Sequence, residues 1–538
     1  MFLKFDNGMR KRCLFFLLVL LTGSLYGQQK HIPWNHALRY NIESSFYTTD
    51  KTQHTSFKPY LESDFDYIAQ KDSVLNFMKS DTGFSGFRRK MFRESLVIIE
   101  ADDYRFTIDP LMDFQFGNEL REDSDYSDTT SFYVNTRGFR IQGDIGEQFS
   151  FESFFFENQA FFPTYLRDYV ESSGVVPGQG RTKVFKETGF DYAFSEAYLN
   201  YTPSEHFSVS AGHGRQFIGE GYRSMLLSDF AFNYPYLRFK TTFWDERIQY
   251  INSFTYMQSL DRIPVATTPE ALFQPKLTSF QYLDIKIHKR LYLGLMESVV
   301  WRIWDEQNGS RPMDYNFFNP IPFVHTIVNK ESNNVFHGLN IKFIPFDRVV
   351  LYGQAMMQNT HYSRNFPREG IAYQAGLKIY DLPIENLFFR AEYNVAAPFT
   401  YFAAQPLQNY AHYNQALAHP FGANFNEFIV QLNYRYKRVF FNGHLLMATR
   451  QLEKVSEEEP GSAGSNIFMP LEDIQEETTP EELMFVSLQA GFLLNPTNNL
   501  MLKIGVDSRV SKWEEFKHEN LFLTVGLSAN LFNRYYDL

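Results

Sequence analysis

The chain is 538 residues long, carries 57 Phe and 33 Tyr (an aromatic fraction of 18%) and has a formal net charge of −11. An acidic chain lacks the basic footprint of a nucleic-acid binder. Its single cysteine, Cys13, rules out a disulfide framework and a cysteine-type zinc site, and no stretch approaches the 18 consecutive apolar residues of a helical membrane span.

In chain order, the first element is a leader. Lys4, Arg10, Lys11 and Arg12 precede the apolar run Leu14 to Leu21, and Ser24 to Gly27 offers a cleavage region. A basic n-region, a short apolar h-region and small residues define a secretory signal, read here as residues 1–27. Residues 28–95 follow a different rhythm. Trp34, Leu38, Ile42 and Phe46 are spaced by four and would form one stripe on a helix. This predicts a small, partly helical piece at the periplasmic mouth of a barrel or inside its lumen.

From residue 96 to 538 the pattern has period two. Ile371, Tyr373, Ala375, Leu377 and Ile379 alternate with more polar neighbours. The same holds for Leu387 to Val395, Phe428 to Tyr436 and Leu500 to Val506. The last run alternates Leu521, Leu523, Val525 and Leu527 with Phe522, Thr524, Gly526 and Ser528. Alternation over about ten residues is the length and pattern of a tilted strand crossing a bilayer. Short turns near 144–148, 202–206, 243–247, 288–290, 345–348, 381–386, 436–438 and 495–499 alternate with long polar loops. Those loops fall near 118–131, 158–190, 215–236, 258–278, 302–335, 359–370, 396–427, 450–483 and 509–519. Short turns at one end and long loops at the other are the habit of outer-membrane barrels, and the aromatic load suits their interfacial girdles. The fold class is therefore all-β: a transmembrane antiparallel β-barrel of about 18 strands, with 16–18 as the range. An even count places both termini in the periplasm, in the cell outer membrane.

Within the loops, Ala211 to Phe239 reads AGHGRQFIGEGYRSMLLSDFAFNYPYLRF. Gly212, Gly214, Gly219 and Gly221 allow sharp turns or close backbone approach, and Arg215 and Arg223 flank Glu220. Two readings stand: a loop folded inward to narrow the lumen, or a loop offering Arg215, Glu220, Tyr222, Arg223 and Ser224 to a glycan. Loop 302–335 opens after Trp301 and Trp304, and loop 396–427 carries Tyr401 and Tyr413. Such aromatic faces beside polar groups suit sugar rings, while aromatics near strand ends also build the interface girdle.

The stretch GRQFIGEGYRSMLLSDFAFNYPYLRF resembles the glycine-rich, then serine–leucine-rich, then proline segment of the capsule-assembly Wzi-like family of outer-membrane barrels. The matching positions are Gly219, Gly221, Ser224, Leu226, Leu227, Ser228 and Pro235. Asn319–Pro320 is a second match, and RemB-like gliding-motility members are the expected relatives. The resemblance implies an 18-stranded barrel with a helical periplasmic piece and a non-catalytic role in holding or organising surface polysaccharide. That role would serve capsule attachment, adhesion or gliding motility. The expected partners are outer-membrane lipid, lipopolysaccharide and surface polysaccharide, with surface proteins compatible with the same role and a monomer as the expected state.

The alternative is a channel for small polar solutes, with inward-facing Arg390, Glu392, Arg435, Lys503 and Asp507 lining an open pore. The chain is not expected to be an enzyme. Ser224 and His213 share a loop, but no G-x-S-x-G surrounds the serine. There is no H-E-x-x-H spacing, and neither a metal nor another cofactor is expected.

Overall fold

The structure is a computed structural model. It describes residues 30–33, 35–47, 53–65, 86–122, 124–263, 272–305, 309–328, 333–359, 370–403, 405–453, 467–468, 478–529 and 532–538. The leader 1–27, the side chains of Trp34 and Leu38, and most of the acidic stretch 450–483 lie outside the described residues.

Eighteen strands close on themselves. In chain order they are β1 (Tyr104–Glu119), β2 (Phe132–Ile145), β3 (Phe149–Phe161), β4 (Gly189–Ser204), β5 (Phe207–Gly214), β6 (Tyr234–Phe243), β7 (Ile248–Arg262), β8 (Phe273–His288) and β9 (Leu291–Arg302). They continue as β10 (Asn334–Phe346), β11 (Val349–Asn359), β12 (Ile371–Tyr380), β13 (Leu387–Ala396), β14 (Phe425–Tyr436), β15 (Val439–Glu453), β16 (Thr478–Asn495), β17 (Leu500–Trp513) and β18 (Phe516–Ala529). Each pairs antiparallel with its neighbours, and β18 closes on β1 with Phe522 opposite Glu119 and Ser528 opposite Asp113. Closure removes every open edge, the one way a sheet can sit in lipid without unpaired backbone groups.

All eight expected short turns join strands where the alternation places them. The expected long loop at 509–519 is not a loop. β17 and β18 run on to Trp513 and Phe516, joined through Glu514, which has φ +49°, and Glu515. Ser511 faces His518 and Lys512 faces Lys517 across the hairpin, and Trp513 stacks on His518 with ring centroids 4.9 Å apart. The segment is polar because the hairpin rises beyond the apolar belt, and polarity without proline or glycine does not stop strand pairing.

The alternation assigns the faces. On β18, Leu523 and Val525 are 45% and 57% exposed, while Phe522 and Ser528 are buried. Leu502, Ile504, Val506, Met484 and Leu488 continue the exposed apolar row. Aliphatic side chains in a continuous outward band belong against hydrocarbon.

The lumen is filled. Residues 30–33, 35–47 and 53–65 lie inside it, including helix α1 (His36–Glu43). Phe46 and Tyr47 are buried, and Ile42 packs beside them against Tyr380 and Phe388 of the wall. Phe57–Lys58 pairs with Phe217–Ile218 of loop 215–233. That loop has folded inward, the first of the two readings above. Loop 397–424 and residues 532–538 complete the plug. Among the described residues, helices outside it include α2 (Gly86–Phe92), whose end the β16–β17 turn holds through Asn495, and α3 (Thr164–Ser173) in the loop after β3.

Candidate functional site

Loop 215–233 is the hub of the plug. Gly219, at φ +134°, passes so close to Gln354 that a Cβ would collide with it, and a Cβ at Gly221 would collide with Glu392. The tight backbone sets Glu220 between the N-terminal segment and the lysines of the wall. One Glu220 oxygen accepts from the Tyr47 hydroxyl at 2.6 Å and from Lys378 Nζ at 2.8 Å. The other accepts from the Thr55 hydroxyl and lies 3.9 Å from Lys342 Nζ. Lys58 donates to the Gly219 carbonyl. Burial opposes ionisation of Glu220, but Lys378, Lys58 and Lys342 override it and hold the carboxyl well below its ordinary range. Burial brings the Lys58 ammonium down to about 7.

A second centre lies next to it. Glu392 accepts from the backbone N–H of Tyr222 (2.8 Å) and of Arg223 (3.1 Å) and from the Tyr352 hydroxyl (2.8 Å). Arg223 pairs with Asp537 at 3.0 Å and lies 3.5 Å from Glu427, whose other oxygen meets His419 at 2.8 Å. Glu392, Glu427 and Asp537, distant in sequence, thus converge on one arginine. The hydroxyls of Tyr401 and Tyr410 donate to the carbonyls of Met225 and Leu226, at 2.8 and 2.7 Å. Tyr401 does so at φ +67° with no exposed surface, a strained backbone that only a fixed surrounding sustains. Residues 532–538 are held as firmly: Tyr535 and Asn533 donate to Asp229, and Arg509 donates to the Leu538 carbonyl.

Among the described residues the plug leaves a large space. A cavity of about 320 Å³ runs beside the β13–β18 wall. It reaches the short turns at Asn386 and Asn499 and is roofed by Tyr165 and Leu166 of α3. Asn433, Asn442 and Gln489 present amides to it, Tyr40 and Tyr434 present rings, and Arg435, Lys503 and Asp507 supply charge.

No family model matches the sequence, and no curated protein matches it. Among solved structures, Wzi covers 94% of this chain over 100% of its own length, with 13% identity and a TM-score of 0.53. Wzi is an outer-membrane protein of Escherichia coli, involved in group 1 capsule assembly and described as a carbohydrate-binding β-barrel. The chain has the fold of Wzi. OccK8 (OprE) of Pseudomonas aeruginosa also aligns, at 9% identity over 78% of this chain and 98% of its own, with a TM-score of 0.43. A BenF-like porin from Pseudomonas fluorescens aligns at 8% identity over 79% and 98%, with a TM-score of 0.43.

Within this Wzi-like barrel, most candidate ligand residues face protein rather than solvent. Arg215 donates to the Asp229 carbonyl at 3.0 Å and lies over the ring of Phe194. Glu220, Arg223 and Tyr401 are committed as described above. The Ser224 hydroxyl donates to the Ile218 carbonyl at 2.5 Å and accepts from the N–H groups of Leu226 and Leu227. His213 does not share this site. It sits on the outer face opposite exposed Pro235. Tyr222 donates to Asp537 at 3.1 Å and lines the cavity. Ser228 donates to the carbonyls of loop 397–424. Gly212 and Gly214 lie within β5. Trp301 and Trp304 are buried, Trp301 on the outward side against Phe317.

Tyr413 stands at the long-loop end, half-buried at φ +56°. Its ring lies 6.5 Å from that of Phe273, over which Arg181 and Arg262 are poised at 4.7 and 5.3 Å. Arg390 and Glu392, expected to line an open pore, are sealed beneath the plug at 1% exposure each. Lys378, Glu427 and Gln354 were not singled out from the sequence. Their signal is a charged or amide residue at an inward position of a strand, which looks the same whether it meets water or a plug.

Proposed function

We propose that this chain is a non-catalytic outer-membrane barrel that binds surface polysaccharide at its long-loop end, with those loops extracellular and both termini periplasmic. The observation that carries this reading is the closed lumen. Loop 215–233 is tied to the N-terminal segment and loop 397–424 by buried hydrogen bonds and to residues 532–538 by the Arg223–Asp537 ion pair, an arrangement for holding rather than conducting. The carbohydrate binding described for Wzi supports it by fold. The patch of Tyr413, Phe273, Arg181 and Arg262 supports it by chemistry, since rings give apolar contact to sugar faces and guanidinium groups take carboxylate or sulfate substituents. Capsule attachment, adhesion or gliding motility is the cellular role that follows, with lipopolysaccharide and surface proteins as neighbours. The test is binding of acidic and neutral polysaccharides to the purified barrel and to Arg181→Ala, Arg262→Ala and Tyr413→Ala. Equal binding by all four proteins would refute the assignment of the patch.

A second reading rests on the cavity beside β13–β18. With Arg435, Lys503 and Asp507 on its wall, it is the place where a channel would open if the plug shifted. Large, steady current steps from the unmodified protein in planar bilayers would favour that reading and reject the plugged one.

A further inference from the structure

The outer wall of β7–β10 breaks the rule that the rest of the barrel follows. In one row across these strands, Asn252 pairs with Gln281, Gln281 with Glu297 and Glu297 with His337. All four occupy the face shared by Leu295 and Leu339, opposite the lumen-facing Phe280 and Phe336. β9 has 12 residues, scarcely more than the roughly 9–11 a strand needs to cross a bilayer. Glu297, at its middle, therefore lies at membrane depth, where a carboxylate facing lipid is strongly unfavourable.

It does not face lipid. Residues 309–328 of the β9–β10 loop fold back down this wall as a flap, with turns of helix at Tyr315–Phe318 and Val324–Val328. Glu297 accepts from the N–H of Thr326 at 3.0 Å and from its hydroxyl at 2.5 Å, and its other oxygen meets His325 Nδ1 at 3.0 Å. The second nitrogen of His325 meets the Asn316 carbonyl at 2.8 Å. Gln281 donates to the Asn319 carbonyl at 2.7 Å, and Tyr250 donates to that of Pro320 at 2.6 Å. The Thr326 hydroxyl meets His337 at 2.7 Å. Polar groups of the wall thus satisfy the irregular backbone of the flap, the condition for such backbone to exist at membrane depth. Phe317 packs on Phe254 and Trp301. The other side of the flap is apolar and open: Tyr315 is 87% exposed, Ile327 82%, and Ile321 and Phe318 about half.

We infer that residues 315–328 are a membrane-embedded flap whose outer surface, Tyr315, Phe318, Ile321 and Ile327, contacts the acyl chains of the leaflet on the long-loop side. The occupant is lipid, because the surface continues the exposed apolar belt at Ile341, Phe343 and Met357 and has no Asp, Glu, Lys or Arg between Tyr315 and Val328. This assignment takes the second aromatic loop out of glycan recognition and makes it a replacement for barrel wall.

The test uses the full chain in a Cys13→Ser background, reconstituted in phosphatidylcholine vesicles, with a bimane label on Ile327→Cys or Ile321→Cys. Val525→Cys on β18 is the lipid reference, and Trp244→Cys in the exposed β6–β7 turn is the water reference. Lipids spin-labelled on the acyl chain are expected to quench both flap positions to within about a factor of two of Val525, with iodide leaving them nearly untouched. In Glu297→Leu the flap loses its anchor, and iodide quenching at Ile327 is expected to rise toward the Trp244 level, with Glu297→Gln between the two. Iodide quenching of the unanchored-variant kind in the parent protein overturns the proposal. So does shielding from both quenchers, which would mean that another protein copy covers the flap. The parent measurements decide the matter even if Glu297→Leu does not fold.

Discussion

Two walls of the same barrel solve the membrane problem in opposite ways. The β16–β18 wall presents Leu488, Leu502, Ile504, Leu523 and Val525 outward and borders an open cavity inside. The β7–β10 wall presents Asn252, Gln281, Glu297 and His337 outward, covers them with a flap, and packs inside against the plug through Phe280, Met296 and Phe336. Outward polarity on a strand is therefore not evidence of water beyond it. It marks a surface that another part of the chain must cover, because an unpaired polar group in hydrocarbon costs several kcal/mol.

The comparison breaks most visibly at the plug that backs the second wall. Glu220→Ala leaves Lys378, Lys342 and Lys58 buried around a missing carboxylate, a loss of roughly 3–5 kcal/mol. The expected result is plug release, seen as new current steps in planar bilayers while the barrel keeps its heat-resistant mobility on gels. Next in size is the lipid contact of the first wall. Val525→Arg places a charge in the outward row and is expected to destabilise the barrel by roughly 2–4 kcal/mol, read as a lower urea midpoint.

Acid should loosen the plug without touching the first wall. The Glu220 carboxyl is held below its ordinary range in the folded chain, so the stability it contributes is present above about pH 4.3, its unfolded value, and is lost as pH falls through the folded value. Current steps appearing only at acid pH in the unmodified protein, and already present at neutral pH and insensitive to pH in Glu220→Gln, would check this. The smallest effect is expected at the rim: Tyr413→Ala should weaken polysaccharide binding by about 1 kcal/mol, near five-fold in Kd, with no change in conductance or unfolding.

How much of this was legible in the chain follows from the range of each interaction. The strands were readable because alternation is local: Leu521 to Leu527 declares its two faces without reference to anything else. The eight short turns were readable for the same reason. The hairpin at Trp513–Phe516 was misread because a polar strand above the membrane keeps the pairing but loses the apolar alternation. Loop 215–233 was recognisable as unusual from its glycines and flanking arginines. Its partners were not, because Tyr47, Lys378, Glu427 and Asp537 come from four separate parts of the chain.

By itself, the sequence determined that this protein forms a closed membrane barrel, with long loops at one end and an N-terminal piece of different rhythm, because side-chain period and turn chemistry act over a few residues. Only the tertiary structure decided that the lumen is filled, that most candidate ligand residues are interior ties, and that an aromatic loop lies on the outer wall. Each of those depends on where a distant segment comes to rest, and burying a charge or a ring is favourable only once that partner is in place.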